Sequence, residues 1–299
     1  VRSEIAANPD GTYRFTEHID GLGEAPETIV FKVAVTVEGD HVAVDWTGTS
    51  AQVPGGVNCS FPFTKSATYA ALRSIMGSDV PNCQGFIRPI TVRAPEGTVT
   101  HAVHPGACGA RGVSGFRMID CIFGALSQAV PDKITADGCG GSSVPTFGGY
   151  RDREAFVISE TLLGTWGATS KHDGQEGVPH MGANQSNVPI EMIEMDYPLR
   201  LEQYGFVPDS GGPGKHRGGL AIIRDYRVLE DNVSFSLRSD KRVHPPHGLF
   251  GGLPGSASWS TINPDDNPKI LPVLMTRPEY LKRGDLFRHI KAGGGGYGP

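Results

Sequence analysis

The 299-residue chain has no run of Lys and Arg, no apolar stretch near the roughly 20 residues of a membrane span, and no charged and apolar leader. With 27 basic against 32 acidic residues, its net charge is −5. Nucleic acid and membrane are therefore not expected as partners. Cysteine is scarce. Cys59, Cys83, Cys108, Cys121 and Cys139 are odd in number, and none forms a C-x-x-C pair. Reduced thiols in a cytoplasmic setting are expected, in place of disulfides or a zinc site. Also missing are G-x-S-x-G, H-E-x-x-H, and G-x-G-x-x-G placed after a strand. Serine hydrolase, zincin and dinucleotide readings lose support accordingly. Heptads and solenoid-period repeats are absent too.

What the chain has is glycine and proline, 41 and 23 residues, which favours short strands and turns over long helices. Ile29, Phe31, Val33, Val35 and Val37 alternate, as do Val42, Val44 and Trp46, with Glu38-Gly39-Asp40 as a hairpin loop between them. Thr64 is placed to cap a helix through Met76, with Gly77 as its stop. Ser114 is placed to cap a second, whose Ile119, Ile122, Phe123, Leu126 and Val130 recur at helical spacing until Pro131. Beyond Thr146 short strands return: 156–162, 199–206, and a hairpin of 220–228 with 233–237. Pro189 opens a short helix through Tyr197. The expected fold is α+β, β-rich, with two main helices in the middle: a β-rich segment 1–60, a mixed segment 61–145, and a β-rich domain 146–299. The chain starts at Val1 without a methionine and ends in GGGGYGP, which reads as a piece of a longer polypeptide.

Four stretches carry residues suited to chemistry. His180 to Gly219 packs two glycine-rich loops around a short helix and a strand. Glycine there would leave backbone N–H groups open to a ligand or another chain, making this stretch an interface or an active-site wall. His101, His104 and Cys108 have metal-ligand residue types, but an i,i+3 pair on an extended segment points to opposite faces. The glycine-rich loop that leads past Arg111 into the Ser114 helix would suit a carboxylate, bicarbonate or phosphate, or would merely start the helix. Asp209 to Gly219 lacks the spacing and the Ser or Thr of a phosphate loop, and a strand follows it in place of a helix. The cluster from Arg238 to His247 is expected to be a solvated surface.

Several segments together resemble the hydantoinase B/oxoprolinase (HyuB-like) family: PDGTYRF (9–15), VDWTGTS (44–50), PGGVNC (54–59), FIRPITVRAPEG (86–97), FGALSQA (123–129), NVPIE (187–191), YPLR (197–200), DSGGPGKHRGG (209–219) and GGGGYG (293–298). The resemblance runs across almost the whole chain in order and corresponds to the C-terminal part of such a subunit. It implies a hydrolase subunit that works with a HyuA-like ATP-binding partner, in a hetero-oligomer, to open cyclic amides such as hydantoins, 5-oxoproline or lactams. Phosphorylation would activate the carbonyl oxygen. The alternatives are a ketone carboxylase subunit of the acetone or acetophenone type, or a scaffold that docks the partner. ATP and Mg2+ would sit on the partner. A divalent metal would come through the N-terminal half of the subunit, so no metal ligand is carried over, and this chain alone would be inactive. Residue chemistry names the candidate site. His104 would move a proton, Arg111 would bind an anionic group, Asn58 and Asn187 would donate to a carbonyl oxygen, and Arg217 would line the substrate pocket.

Overall fold

Alternating apolar residues build the first of two compact units. The computed structural model describes residues 1–77 and 79–299, and the chain divides into 1–19 with 28–135, and 20–27 with 136–299. The first unit contains α1 (Arg2–Ala6), β1 (Gly11–Ile19), β2 (Ile29–Glu38), β3 (His41–Asp45), α2 (Phe61–Ser74), α3 (Gln84–Ile87), β4 (Ile90–Arg93) and α4 (Arg111–Leu126). Its sheet has the order β1-β2-β3-β4, antiparallel except for the parallel pair β3–β4. Every second residue of β2 is buried, as the period-two pattern requires, and Gly39 takes φ +56° in the turn to β3. Helix α4 packs on β1 and β2. Gly124 permits this, because a Cβ there would lie 2.4 Å from the ring of Phe15.

The segments 1–60 and 61–145 that the sequence separates are one unit, because β4 pairs with β3 and α4 covers β1 and β2. The division falls after Thr135. Both main helices also start earlier than expected. α2 begins at Phe61, with Pro62 in its first turn, and ends at Ser74; the buried Thr64 hydroxyl donates to Thr100 O at 2.5 Å. α4 begins at Arg111 with Ala110 at its N-cap, and Ser114 is buried, its hydroxyl donating to Val57 O. The hydroxyls expected to cap these helices bind neighbouring loops instead.

The second unit contains β5 (Val144–Arg151), β6 (Glu154–Ser159), β7 (Gly164–Thr165), β8 (Glu176–Val178), α5 (Ile190–Asp196), β9 (Leu199–Phe206), β10 (Ile222–Val228), β11 (Val233–Arg238), β12 (Trp259–Ile262), β13 (Lys269–Ile270), β14 (Glu279–Leu281) and β15 (Leu286–Ile290). Strand β6 starts and stops before the expected 156–162. Two larger sheets have the orders β13-β12-β15-β10-β9 and β14-β11-β5-β6. They share one core, in which Phe147 and Phe235 of one sheet meet Tyr226 and Phe287 of the other, with centroids 4.5–6.1 Å apart. The expected β10–β11 hairpin is therefore not formed. Tyr226 and Phe235 can face one core from opposite sides only if their strands lie in different sheets. β10 pairs with β9 and β15, and β11 with β5 and β14. The architecture is the expected α+β, β-rich class, with α2 and α4 as its principal helices. No helix among the described residues is long and apolar enough to cross a membrane.

Candidate functional site

In the first unit, two loops fold onto the start of α4. Asn58 is fully buried and joins them. Its amide oxygen accepts from Val53 N–H at 2.8 Å, and its amide nitrogen donates to Val53 O, Gly55 O and Ala107 O at 2.8–2.9 Å. Ala110 N–H donates to Gly56 O at 2.7 Å, and Ala102 N–H to Cys59 O at 2.8 Å. Asn58 thus holds the loops, and its amide is committed to backbone rather than offered to a carbonyl ligand. Burial pushes the Cys59 thiol up to about 12, with Cys108 adding to the effect, so Cys59 is a packed thiol and not a nucleophile.

His104 and Arg111 are exposed on this scaffold, and the His104–Pro105 peptide is cis. Arg111 is the first residue of α4, at the positive end of the helix. Its guanidinium lies 5.4 Å from the Phe63 ring centroid, and one Nη donates to Cys108 O at 3.2 Å. His101 is stacked on Phe61, centroids 4.6 Å apart, with Nδ1 2.8 Å from Ala94 O. Among the described residues, His101, His104 and Cys108 do not gather into a group able to share an ion.

The other two candidates lie in the second unit. Asn187 accepts from Leu163 N–H at 2.9 Å and donates to Tyr204 OH at 2.6 Å. The Tyr204 ring carries the guanidinium of fully buried Arg224 at 4.6 Å, and Arg224 pairs with Glu160 at 3.0 Å. Tyr226 OH donates to Glu160 at 2.5 Å, and Val188 N–H at 3.2 Å. Burial raises the Glu160 carboxyl, against the opposing pull of Arg224 and Tyr226, and drives Tyr226 well above its ordinary value. Sequence reasoning missed Glu160, Tyr204 and Arg224; the signal was an Arg-Asp pair directly after the apolar run 220–223. Arg217 donates to Glu176 at 2.6 Å and lies 3.9 Å from Asp173, so two carboxylates hold it.

The glycine-rich loop 209–219 is closed, contrary to the expectation of open amides. Gly212 N–H donates to Gly294 O, Gly218 N–H to Gly212 O, Gly219 N–H to Trp166 O and His216 N–H to Tyr297 O, at 2.8–3.0 Å. The loop lies so close to residues 293–298 that a Cβ on Gly218 would be 1.8 Å from Gly294 O. Glycine serves backbone-on-backbone packing here, and these amides cannot cradle a nucleotide phosphate. The 238–247 cluster is also not a solvated surface. Asp240 and Lys241 are buried, and Lys241 donates to buried Asp137, which lies 3.4 Å from His247 Nδ1.

The chain as a whole is similar to known proteins. The family model for hydantoinase B/oxoprolinase matches residues 1–299. The B component of a putative D-/L-hydantoinase of Pseudomonas sp. (strain NS671) is 33% identical over 100% of this chain and 52% of its own length. The 5-oxoprolinase 1 of Arabidopsis thaliana is 28% identical over 90% of this chain and 20% of its own length. In fold, the chain is similar to the ATP-dependent caprolactamase from Pseudomonas jessenii (TM-score 0.85, 22% identity, 99% of this chain and 53% of that one). It is equally similar to nucleotide-free acetone carboxylase (TM-score 0.86, 18% identity, 99% of this chain and 47% of that one). The chain spans about half the length of the hydantoinase component it matches. A match that covers every residue, together with a relative at this identity, makes the chain a member of the hydantoinase B/oxoprolinase family.

Proposed function

We propose that this chain forms part of the HyuB-like subunit of an ATP-dependent cyclic-amide hydrolase. The observation that carries the reading is the match to the B component of a hydantoinase over the full chain. In this reading ATP and Mg2+ are bound by a HyuA-like partner. When bound there, ATP activates the amide carbonyl oxygen by phosphorylation. A divalent metal is assigned to the N-terminal half that such subunits carry. This chain contributes the exposed pair at the start of α4. Arg111 holds an anionic group of the substrate or intermediate, aided by the helix dipole, and His104 moves a proton. Asn58 keeps their loops in register, and Asn187 and Arg217 order loops of the second unit that are candidates for substrate binding.

A ketone carboxylase is the second reading, supported by likeness of fold to acetone carboxylase. The deciding experiment measures ATP turnover by the full-length subunit with its ATP-binding partner. The panel is hydantoin, 5-oxoproline, a simple lactam, and acetophenone with and without bicarbonate. Turnover triggered by a cyclic amide without bicarbonate supports the hydrolase. Turnover only with ketone plus bicarbonate replaces it with the carboxylase. Normal assembly and unchanged turnover in Arg111→Ala and His104→Ala would make this chain a scaffold.

A further inference from the structure

Two buried side chains of the second unit converge on a single carbonyl. Cys139 Sγ donates to Gly141 O at 3.5 Å, and Lys291 Nζ donates to the same oxygen at 2.5 Å. Cys139 is 5% exposed and Lys291 1%. Ser143 Oγ and Leu162 O hold the amine as well, at 3.3 Å each. Gly164 closes the opposite side: a Cβ there would lie 2.2 Å from Cys139 Sγ and 2.6 Å from Lys291 Cε. Sulfur and the end of the lysine chain therefore border the same small space. The backbone fixes both, since Cys139 N–H donates to Thr165 O at 3.0 Å and Lys291 N–H to Ile222 O at 2.8 Å.

A sulfenic acid formed on an isolated thiol usually meets a second thiol or is oxidised further. At Cys139 the neighbouring nucleophile is an amine. We propose that Cys139 and Lys291 are a modification site at which peroxide forms a covalent Sγ–O–Nζ bridge. One peroxide converts the thiol to sulfenic acid: the S–O bond forms, the peroxide O–O bond breaks, and water leaves. The ammonium yields a proton to solvent. A second peroxide then takes two electrons from the sulfenic acid and the amine together. The O–N bond forms, one O–H and one N–H bond break, and that peroxide departs as two waters. Thiol, amine and two peroxides thus give the bridge and three waters. The bond would fasten the loop 139–143 to the end of β15, next to the glycine run that closes the 209–219 loop.

The test exposes the purified full-length subunit to hydrogen peroxide, digests it with trypsin without reductant, and analyses the peptides by mass spectrometry. The expected product joins the peptide 134–151 to the peptide that contains Lys291, with no cleavage after Lys291. Its mass exceeds the sum of the two reduced peptides by about 14 Da, one oxygen gained and two hydrogens lost. It is lost on treatment with dithiothreitol and is absent from Cys139→Ala, while oxidation of the exposed Cys83 is unchanged. Recovery of Cys139 as thiol, sulfinic or sulfonic acid with normal cleavage after Lys291 overturns the proposal, as does a disulfide from Cys139. The unmodified sequence alone decides the matter, so poor folding of the variant leaves the result intact.

Discussion

The phenol of Tyr226 donates to Glu160 at 2.5 Å inside the second unit, and the Arg224 guanidinium holds the other carboxylate oxygen at 3.0 Å. With Val188 N–H donating at 3.2 Å, the carboxylate serves three partners in a place that disfavours its charge.

Replacing Glu160 by Gln leaves Arg224 a fully buried cation without its anion, and the expected loss is about 3–5 kcal/mol in urea unfolding. Tyr226→Phe removes one hydrogen bond and should cost less, about 1–3 kcal/mol. Because burial raises Glu160 above 4.5 in the folded state, the native protein holds that proton more tightly than the unfolded chain. Glu160 therefore contributes a stability term that falls as pH rises above 4.5 through the folded value. That slope should vanish in Glu160→Gln.

His289 has the opposite sign. Burial, then Lys291 and Arg242, lower it from 6.5 to about 3, and its Nδ1 lies 2.9 Å from Ser260 Oγ. The unfolded chain takes up a proton at a pH where the native state refuses one. Stability should drop by about 2 kcal/mol from this residue between pH 7 and pH 5. Unfolding curves of His289→Gln at the two pH values should lack that loss.

Glycine positions separate sharply. A Cβ on Gly218 would fall 1.8 Å from a carbonyl oxygen, whereas one on Gly205 would meet nothing within 4 Å. Gly218→Ala should lose more than the usual 1–3 kcal/mol of overpacking, or fail to give soluble protein. Gly205→Ala should melt within a few degrees of the parent.

Asn58 and Arg111 should divide into structural and functional effects. Asn58→Ala removes four hydrogen bonds from a buried site, so thermal melting should fall markedly. Arg111→Ala and His104→Ala lie on the surface, where stability should change by no more than about 0.5 kcal/mol. Under the proposed function, turnover of the assembled complex should drop roughly 10²-fold for each, the usual contribution of a positioned proton carrier or charge.

The period-two pattern of β2 and β3, the strand 199–206 and the start of the helix after Pro189 were legible because each is a local property of side-chain spacing. Ser114 and Thr64 misled for the reason that made them plausible. A hydroxyl near a helix start can cap it or reach a neighbouring loop, and only the loop's position decides. Asn58 reads in the sequence as a donor to a ligand carbonyl, whereas its amide binds backbone, one partner lying 49 positions away. Lys241 and Asp137 are separated by 104 positions, so the cluster around Lys241 read as surface charge. The glycines were noticed for open amides. Their use in close packing depends on residues 293–298, which no pattern near 209–219 reveals.

Placing β10 and β11 in different sheets also sets the order in which the second unit can assemble. The two strands cannot zip onto each other, although β10 can pair with β9 before it. β11 must find β5, about 90 residues earlier, and β10 must find β15, about 60 residues later. Long closures of this kind slow folding. A ribosome-bound chain that has reached Arg238 holds β9 and β10 of one sheet and β5, β6 and β11 of the other, each with an unpaired edge. The 209–219 loop stays unsupported until residues 293–298 emerge, so this unit would depend on protection from aggregation during synthesis more than the first, whose meander pairs neighbouring strands.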